Sequence, residues 1–492
     1  PWEKFRLVNT DHYEKFDSHT RLSNGPDIYM PTEFLHGLYD GGIGSGMWDY
    51  WELIRTSKVG GGGFFWALVD ECVKRTDQNG KLDCAGNRGP DGIVGPHREH
   101  KGSFNTVREI WSPVFLNVKI DQSSVQLDLE NRYDFTNLNS CSFKWSLVRL
   151  PLPEGRKGNT VLASGLLKAP NVLPHHDGQL SFRLPQSVVS ADVLYITATD
   201  PGGREIWTWS KSLKNAVLPA VTASQAPKLI ENENSLSVSN GRIELTFNKN
   251  TGALIKVTNA GREIAVGQGP NLVAYQRKDR KYEHAARPDG LYGCQSGRKG
   301  ESVVIEASSS SYLKKILWRI SSDSNSELVA NLEYEYSFDG TVDVLGIGFE
   351  TAEKSLKSIR WLGMGPYRVW QNRLQGTRFD VWENTYNDST PGESWLFPEF
   401  KGYFGPFRWA RFETADGPFT IATGNEQTYL GLLKPKDGVN GLLDVPDVGI
   451  AVLDVIPAMR NKFHTTDEIG PQSRAKQVSG SVKGSIQLHF GN

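Results

Sequence analysis

The spacing of apolar residues changes along the 492-residue chain. Up to about residue 112, short apolar runs at 6–12, 28–32 and 63–69 are each followed by polar or glycine-rich residues. Such runs are typical of buried parallel strands. Between the last two runs, apolar residues at i, i+3, i+4 and i+7 form one stripe and predict a helix over 45–56. Residues 1–112 therefore have a β/α pattern.

From residue 113 onward the apolar period is two. Val125, Leu127 and Leu129 alternate with polar residues, and further short alternating runs follow up to about residue 216. This predicts a β-sandwich over 113–216. Residues 217–232 are rich in Ala, Ser and Pro and predict a linker. Beyond it, alternation such as Ile243, Leu245 and Phe247 predicts a larger all-β domain over 233–492.

Composition and charge narrow the function classes. The 50 glycines, 25 prolines and 14 tryptophans favour a protein rich in strands and loops with aromatic surfaces. With 55 basic and 56 acidic residues, the net charge of -1 gives no reason to expect nucleic acid or an anionic membrane as a partner. No apolar run approaches the ~20 residues of a membrane-spanning helix. We therefore expect neither nucleic acid nor a membrane.

The four cysteines leave two alternatives open. Cys72 and Cys84 flank a polar, turn-rich stretch and could close a small disulfide loop, or all four cysteines could be free thiols. The first residues resemble no signal peptide, which fits either a protein that is not exported or one whose natural N-terminus is missing. The compartment stays open, with export favoured over the cytoplasm.

Chemistry-bearing side chains follow the predicted parallel strands. His12 and Tyr13 come after the first, Glu33 and His36 after the second, and Trp66 lies in the third. In a barrel of parallel strands, the carboxyl ends of the strands meet at one mouth, where functional groups lie. Glu33 is the best candidate for a positioned nucleophile or base, and an ordinary strand-end glutamate is the alternative.

The same strand end offers a sugar-stacking surface and two further carboxylates. Trp66, with Phe64 and Phe65, could present an aromatic wall to the apolar face of a sugar. Asp70 and Glu71 are the other strand-end acids, and for each the structural role is favoured.

The motifs around Glu33 resemble a known family. PTEFLHGLYDGG, MWDYWELIR, GGGFFWALVDE and PDGIVGPHRE are similar to the end of the catalytic barrel of glycoside hydrolase family 2, in the shape of the large multidomain β-galactosidases. LENRYDFTNLN and NGRIELTFNKNTGALIKV resemble the sandwich domains that follow. The resemblance implies the C-terminal part of a (β/α)8 barrel, an immunoglobulin-like β-sandwich and a large antiparallel, galactose-mutarotase-like β-sandwich.

The resemblance also implies roles for single residues. Glu33 matches the nucleophile that forms a covalent glycosyl-enzyme, Tyr13 a tyrosine that hydrogen-bonds it, and His36 a substrate-contacting histidine. Trp66 matches an aromatic residue of the sugar pocket. Asp91 stands where the family has an asparagine at a sugar- and sodium-binding corner, so a Na⁺, Mg²⁺ or Ca²⁺ ion is compatible with the resemblance but no cofactor is certain.

His12, beside Tyr13, completes the set of substrate-binding candidates. The family's acid/base glutamate has no counterpart in this sequence. We therefore expect a retaining exo-β-glycosidase that acts on an oligosaccharide or glycoside. Its acid/base glutamate is expected on an N-terminal segment or a companion chain. The resemblance is also compatible with a homo-oligomer. The alternatives are a non-catalytic carbohydrate-binding or structural fragment, and a lyase or transferase on the same scaffold.

Overall fold

The computed structural model of the protein describes most of the chain. The described residues are 7–37, 43–85, 88–155, 158–213, 218, 226–279, 281–286, 290–322, 327–351, 355–385, 402–433 and 446–491. Residue 6, at the start of the first predicted strand, and half of the predicted linker, 217 and 219–225, lie outside them.

The first part of the chain combines short strands with helices. Its described elements are β1 (Val8–Asn9), α1 (Phe16–Ser23), β2 (Ile28–Tyr29), β3 (Leu35–His36), α2 (Met47–Thr56), β4 (Phe65–Trp66), β5 (Val73–Arg75), β6 (Lys81–Asp83) and α3 (Gly102–Ile110). The predicted helix is confirmed as α2, whose buried residues Met47, Tyr50 and Ile54 lie on the apolar stripe.

The parallel arrangement of this region is confirmed, but its strands are shorter than predicted. β1 pairs with β2, and β3 pairs with β4, both in parallel register. Isolated parallel bridges add Tyr29 to Gly60 and Val69 to Val94. Pro31 lies in the second predicted run, and the glycines at 61–63 lie before and at the start of the third, where they interrupt regular pairing. The described residues contain three α-helices and form no (β/α)8 barrel.

The first sandwich has two antiparallel sheets. A three-stranded sheet has the order β11-β8-β7 and a four-stranded sheet the order β10-β9-β12-β13. Its strands are β7 (Val114–Asp121), β8 (Ser124–Asn131), β9 (Ser142–Arg149), β10 (Thr160–Leu167), β11 (Asp177–Arg183), β12 (Val193–Thr199) and β13 (Glu205–Ser212). Val125, Leu127 and Leu129 of β8 point into the core between the sheets, as their alternation predicts.

The last sandwich is larger and has two nine-stranded sheets. One follows the order β14-β15-β16-β17-β18-β25-β31-β30, with β19 paired to β18, and the other β20-β21-β22-β23-β33-β29-β28-β26-β27. A continuous apolar core fills the space between them. The strands of these two sheets are β14 (Lys228–Glu231), β15 (Ser235–Ser239), β16 (Ile243–Asn248), β17 (Leu254–Asn259), β18 (Arg262–Lys278), β19 (Lys281–His284), β20 (Tyr292–Lys299), β21 (Ser302–Ser308), β22 (Leu313–Ser322), β23 (Leu328–Ser337), β25 (Val344–Glu350), β26 (Leu356–Gly365), β27 (Arg378–Thr385), β28 (Phe407–Thr414), β29 (Phe419–Thr423), β30 (Tyr429–Leu433), β31 (Gly449–Val455) and β33 (Ser481–Phe490). In the same part of the chain, β24 (Gly340–Val342) and β32 (Lys476–Val478) form a separate two-stranded antiparallel sheet.

Each sheet takes its strands from one of the predicted stretches of chain. The exception is β14, which lies inside the range 217–232 predicted as a linker and pairs with β15. Its Leu229 packs against the sandwich core, which explains why this Ala- and Pro-rich stretch ends as a strand. The predicted domain boundaries themselves stay predictions.

Cys72 and Cys84 form a disulfide at the base of the β5–β6 hairpin, so the alternative of four free thiols is wrong. The link encloses the polar stretch that the sequence singled out. None of the described helices is long and apolar enough to cross a membrane.

Candidate active site

The Glu33 carboxylate lies between the side chains of Tyr13 and His12, which follow the first strand. The Tyr13 hydroxyl donates a hydrogen bond to Glu33 Oε2. His12 Nε2 lies 3.7 Å from the same oxygen, and His12 Nδ1 is 3.1 Å from Thr32 Oγ1. The Glu33 side chain keeps 24% of its surface exposed, so it is supported but open to a ligand.

Tyr13 has a strained backbone that is held from two sides. Its φ of 51° lies in the left-handed region, which is unusual for a tyrosine. Its N–H donates to the Glu33 carbonyl at 2.8 Å, and its own carbonyl is 2.8 Å from His464 Nε2. Burial, with the nearby Glu33 carboxylate, raises the pKa of Tyr13 well above its usual range. Tyr13 therefore stays protonated and remains a donor to Glu33.

His36 and Trp66 are neighbours across the β3–β4 pair. The two residues are directly opposite in the parallel register, and the Gly37 N–H donates to the Trp66 carbonyl at 2.5 Å. His36 is almost fully buried, whereas Trp66 is 38% exposed. Burial, and secondarily the Lys462 ammonium, lowers the pKa of His36 to about 4. His36 is therefore neutral over the physiological pH range.

Asp91 reaches this cluster because the backbone beside it is unusually close. A Cβ at Gly37 would lie 1.6 Å from the Asp91 carbonyl oxygen, so only glycine fits after His36. Asp91 Oδ2 is 3.5 Å from His36 Nε2. Burial raises the pKa of Asp91 to about 6, although the Lys462 ammonium opposes this rise.

Asp70 has a structural role, as favoured from the sequence. Lys101 Nζ donates to Asp70 Oδ1 at 2.7 Å, and the Gly92 N–H donates to the same oxygen at 2.8 Å. Both charged side chains are buried. This ion pair fixes the segment that carries Asp91.

The structure adds three residues that the sequence did not indicate, all from the loop after β31 in the last sandwich. Lys462 Nζ is 2.8 Å from His36 Nε2, and His464 contacts the Tyr13 carbonyl. The Phe463 ring lies 4.2 Å from the Tyr13 ring and 5.9 Å from the His36 ring, and Phe463 is 49% exposed. The one local signal in the sequence is Phe463, a phenylalanine between polar residues. It does not indicate the contacts with Tyr13 and His36, which lie more than 400 residues earlier in the chain.

The arrangement combines an accessible carboxylate with polar groups and exposed aromatic faces. All six sequence candidates, His12, Tyr13, Glu33, His36, Trp66 and Asp91, belong to one continuous cluster. Aromatic faces suit the apolar surface of a sugar, and a hydrogen-bonded carboxylate suits nucleophilic or basic chemistry.

Comparison with known proteins gives consistent similarities. A family model described as "Beta galactosidase small chain" matches residues 239–431, which is less than half of the chain. A "Beta-galactosidase" of Priestia megaterium is 22% identical over 462 residues, covering 84% of this chain and 42% of the relative. A "Beta-galactosidase 2" of Enterobacter cloacae is 22% identical over 432 residues, covering 77% of this chain and 40% of the relative.

The chain is similar to the C-terminal part of β-galactosidases. This confirms the resemblance inferred from the sequence motifs. The β-galactosidase-like chain spans about 40% of the length of the curated relatives it matches.

Two solved structures show weaker likeness. The GalM/aldose epimerase homologue from C. elegans matches with a TM-score of 0.30 and 11% identity over 54% of this chain and 99% of that one. A galactose 1-epimerase from Lactobacillus acidophilus matches with a TM-score of 0.29 and 11% identity over 56% and 100%.

The cation corner implied by the resemblance is a poor fit for a metal ion in the β-galactosidase-like chain. The Asp91 carboxylate is buried there, and the Lys462 ammonium already lies at the adjacent His36 nitrogen. Among the residues that the structure describes, no group of three or more His, Cys, Asp or Glu side chains could hold a metal. A second positive charge would be repelled by Lys462, so no step is assigned to a metal ion.

Proposed function

We propose that the β-galactosidase-like chain supplies the nucleophile half of a retaining exo-β-glycosidase of the family 2 type. The observation that carries the proposal is the Glu33 carboxylate, half-buried and held by the Tyr13 hydroxyl beside exposed aromatic rings. A carboxylate positioned in this way can attack an anomeric carbon.

The chemistry follows in two displacements. Glu33 attacks C1 of the terminal sugar, forming a glycosyl ester as the C1–O bond to the leaving group breaks, and an acid protonates the departing oxygen. Water, deprotonated by the same group acting as a base, then attacks C1 and releases Glu33. The Tyr13 hydrogen bond to Oε2 orients the carboxylate in both steps.

In this proposal the acid/base group lies outside these 492 residues, on an N-terminal segment of the same protein or on a companion chain. The chain spans about 40% of its curated relatives. Ile28, Phe64 and Leu68, in or beside the parallel strands, are all more than 45% exposed. An apolar surface of this kind indicates a protein contact. We propose that residues 7–112 form the end of a (β/α)8 barrel that this N-terminal segment or companion chain completes.

The experiment is covalent labelling of the complete protein with a 2-deoxy-2-fluoro β-galactoside. Peptide mapping is expected to find the adduct on Glu33, and Glu33→Gln to lower turnover by several orders of magnitude while the fold is kept, because the charge is lost but the shape remains. Glu71→Gln is the matched control and is expected to keep activity. An adduct on Asp70 or Glu71 would overturn the assignment.

A second experiment uses the chain alone. The 492-residue chain is expected to show no turnover of nitrophenyl β-glycosides, since leaving-group protonation contributes ~10² to 10⁴ in rate. Adding the part that carries the acid/base glutamate, as an N-terminal extension or as a separate chain, should restore activity. Full activity of the isolated chain would show that the acid lies within it.

The alternative of a non-catalytic carbohydrate-binding fragment makes a different structural prediction. It expects Glu33 to be exposed and unsupported, whereas Tyr13 and His12 contact its carboxylate. These contacts favour the catalytic proposal.

A further inference from the structure

Lys462 brings a charge from the last sandwich into the corner of the pocket that holds Asp91. Its Nζ is 2.8 Å from His36 Nε2, and Asp91 Oδ2 is 3.5 Å from the same nitrogen. Because an ammonium group only donates hydrogen bonds, His36 Nε2 accepts here and its proton lies on Nδ1. Lys462 and Asp91 therefore flank one acceptor nitrogen from two different regions of the chain.

The side chains at this corner differ in their exposure to solvent. His36 and Asp91 are buried, whereas Lys462 is exposed and its neighbour Phe463 presents half its surface to solvent. The Phe463 ring contacts both Tyr13 and His36, and Tyr13 contacts Glu33. The Lys462 and Asp91 corner is therefore linked to the Glu33 carboxylate through His36, Phe463 and Tyr13.

We infer that Lys462 and Asp91 form a donor and acceptor pair for one hydroxyl group of the terminal sugar, which makes Lys462 a specificity-determining residue for the proposed glycosidase. A hydroxyl both donates and accepts, so it satisfies the ammonium and the carboxylate at once. A sugar carboxylate only accepts, and Asp91 repels it while Lys462 attracts it. The corner therefore selects a neutral sugar over a uronate.

This inference rests on the proposed function, and its test separates the two. Wild-type and Lys462→Met forms of the complete protein are assayed with 4-nitrophenyl β-galactoside and with its 2-, 3-, 4- and 6-deoxy analogues. Lys462→Met is expected to lower kcat/KM about 10- to 100-fold on the parent sugar, mainly through KM, because a hydrogen bond to a charged group is lost. With one of the deoxy analogues the variant and the wild type should be equal.

Two further variants make the result specific. Lys462→Arg keeps the charge and is expected to recover part of kcat/KM. Lys476→Met, a change at an exposed lysine in β32 of the same sandwich, should leave all substrates unaffected. Equal losses with every analogue, or no loss at all, would overturn the hydroxyl assignment. A preference of the wild type for the β-glucuronide would also overturn it.

A second readout needs only the isolated chain. The Lys462 ammonium disfavours protonation of His36, so Lys462→Met is expected to raise the pKa of His36 in an NMR titration. An unchanged pKa would contradict the contact itself. If Glu33 labelling fails in the wild type, the proposed function falls, whereas normal labelling without coupling to Lys462 overturns only this inference.

Discussion

Residues 7–112 and the last sandwich differ in the length of their strands and in how far these strands cover apolar side chains. In the first region, the sheet strands β1 to β4 have two residues each, and Phe64 and Leu68 remain exposed. In the last sandwich, strands such as β18 run for 17 residues and cover a continuous core. The candidate site therefore lies on the less regular region, and the sandwich supports it through the loop at 459–474.

The contacts between the two regions are specific and buried. Asn372 Nδ2 is 3.1 Å from Ser45 Oγ, 2.8 Å from the Met459 carbonyl and 2.8 Å from Ser473 Oγ, while its Oδ1 accepts from the Met459 N–H. Ile469 packs into the apolar core around α2. The comparison teaches that a regular scaffold can position residues on a region whose own strands are short.

The largest expected effect contrasts two tryptophans. Trp318 is fully buried in the sandwich core, where its indole N–H donates to the Gly252 carbonyl at 3.0 Å. Trp318→Ala should lower the free energy of unfolding by ~4 kcal/mol, measured by denaturant titration. Trp66→Ala, at an exposed position, should change it by under ~1 kcal/mol while lowering the proposed glycosidase activity of the complete protein. Similar losses in stability from the two variants would contradict the contrast.

The next prediction concerns the contact that Asn372 makes between the last sandwich and residues 7–112. Asn372→Ala should lower the free energy of unfolding by ~3 kcal/mol, because several buried polar groups lose their hydrogen-bond partner. Hydrogen exchange of residues 459–474 should become faster, while exchange in β16 and β17 stays slow. Asn250→Ala, at an exposed turn, is the control. Faster exchange throughout the sandwich would show that the effect is global.

The next prediction concerns the Cys72–Cys84 disulfide, which lies within residues 7–112. The double variant Cys72→Ser/Cys84→Ser should lower stability by about 2 to 3 kcal/mol, since the link closes a short loop in the unfolded chain. Reduced wild-type protein should match the variant in thermal unfolding. A loss in the variant that reduction does not reproduce would indicate damage by the serines.

The smallest effect concerns Glu109 of α3, at the contact with the Gly376 segment. The Gly376 N–H donates to its Oε2, and burial raises the pKa of Glu109 to about 7. When the pKa of a carboxyl group is higher in the folded than in the unfolded protein, the folded protein becomes less stable as pH rises from the unfolded-state pKa, near 4.5, through the folded-state pKa of about 7. Glu109→Gln should therefore raise Tm at pH 8 more than at pH 5.

The control for that prediction is Glu383→Gln, at an exposed position of β27. It should leave the difference in Tm between the two pH values unchanged. A Glu109→Gln effect of equal size at both pH values would show that ionisation of this carboxyl group is not the cause.

The sequence predicted most of the site because strand ends bring its residues together. His12, Tyr13, Glu33 and Trp66 each lie in or directly after an apolar run, and His36 follows Glu33 by three residues. It could not predict the length of the strands, because β1 to β4 depend on neighbours across the sheet. It also could not decide between a disulfide and free thiols, which depends on whether the β5–β6 hairpin brings Cys72 to Cys84.

Local patterns in the sequence determined the elements and the faces they bury. The alternation at Ile243, Leu245 and Phe247 gives β16 with those residues inside, since successive side chains of a strand point to opposite faces. Tertiary structure alone decided the contacts of Lys462 with His36 and of His464 with Tyr13. Those pairs are separated by more than 400 residues, and no local pattern encodes where two sheets and a loop meet.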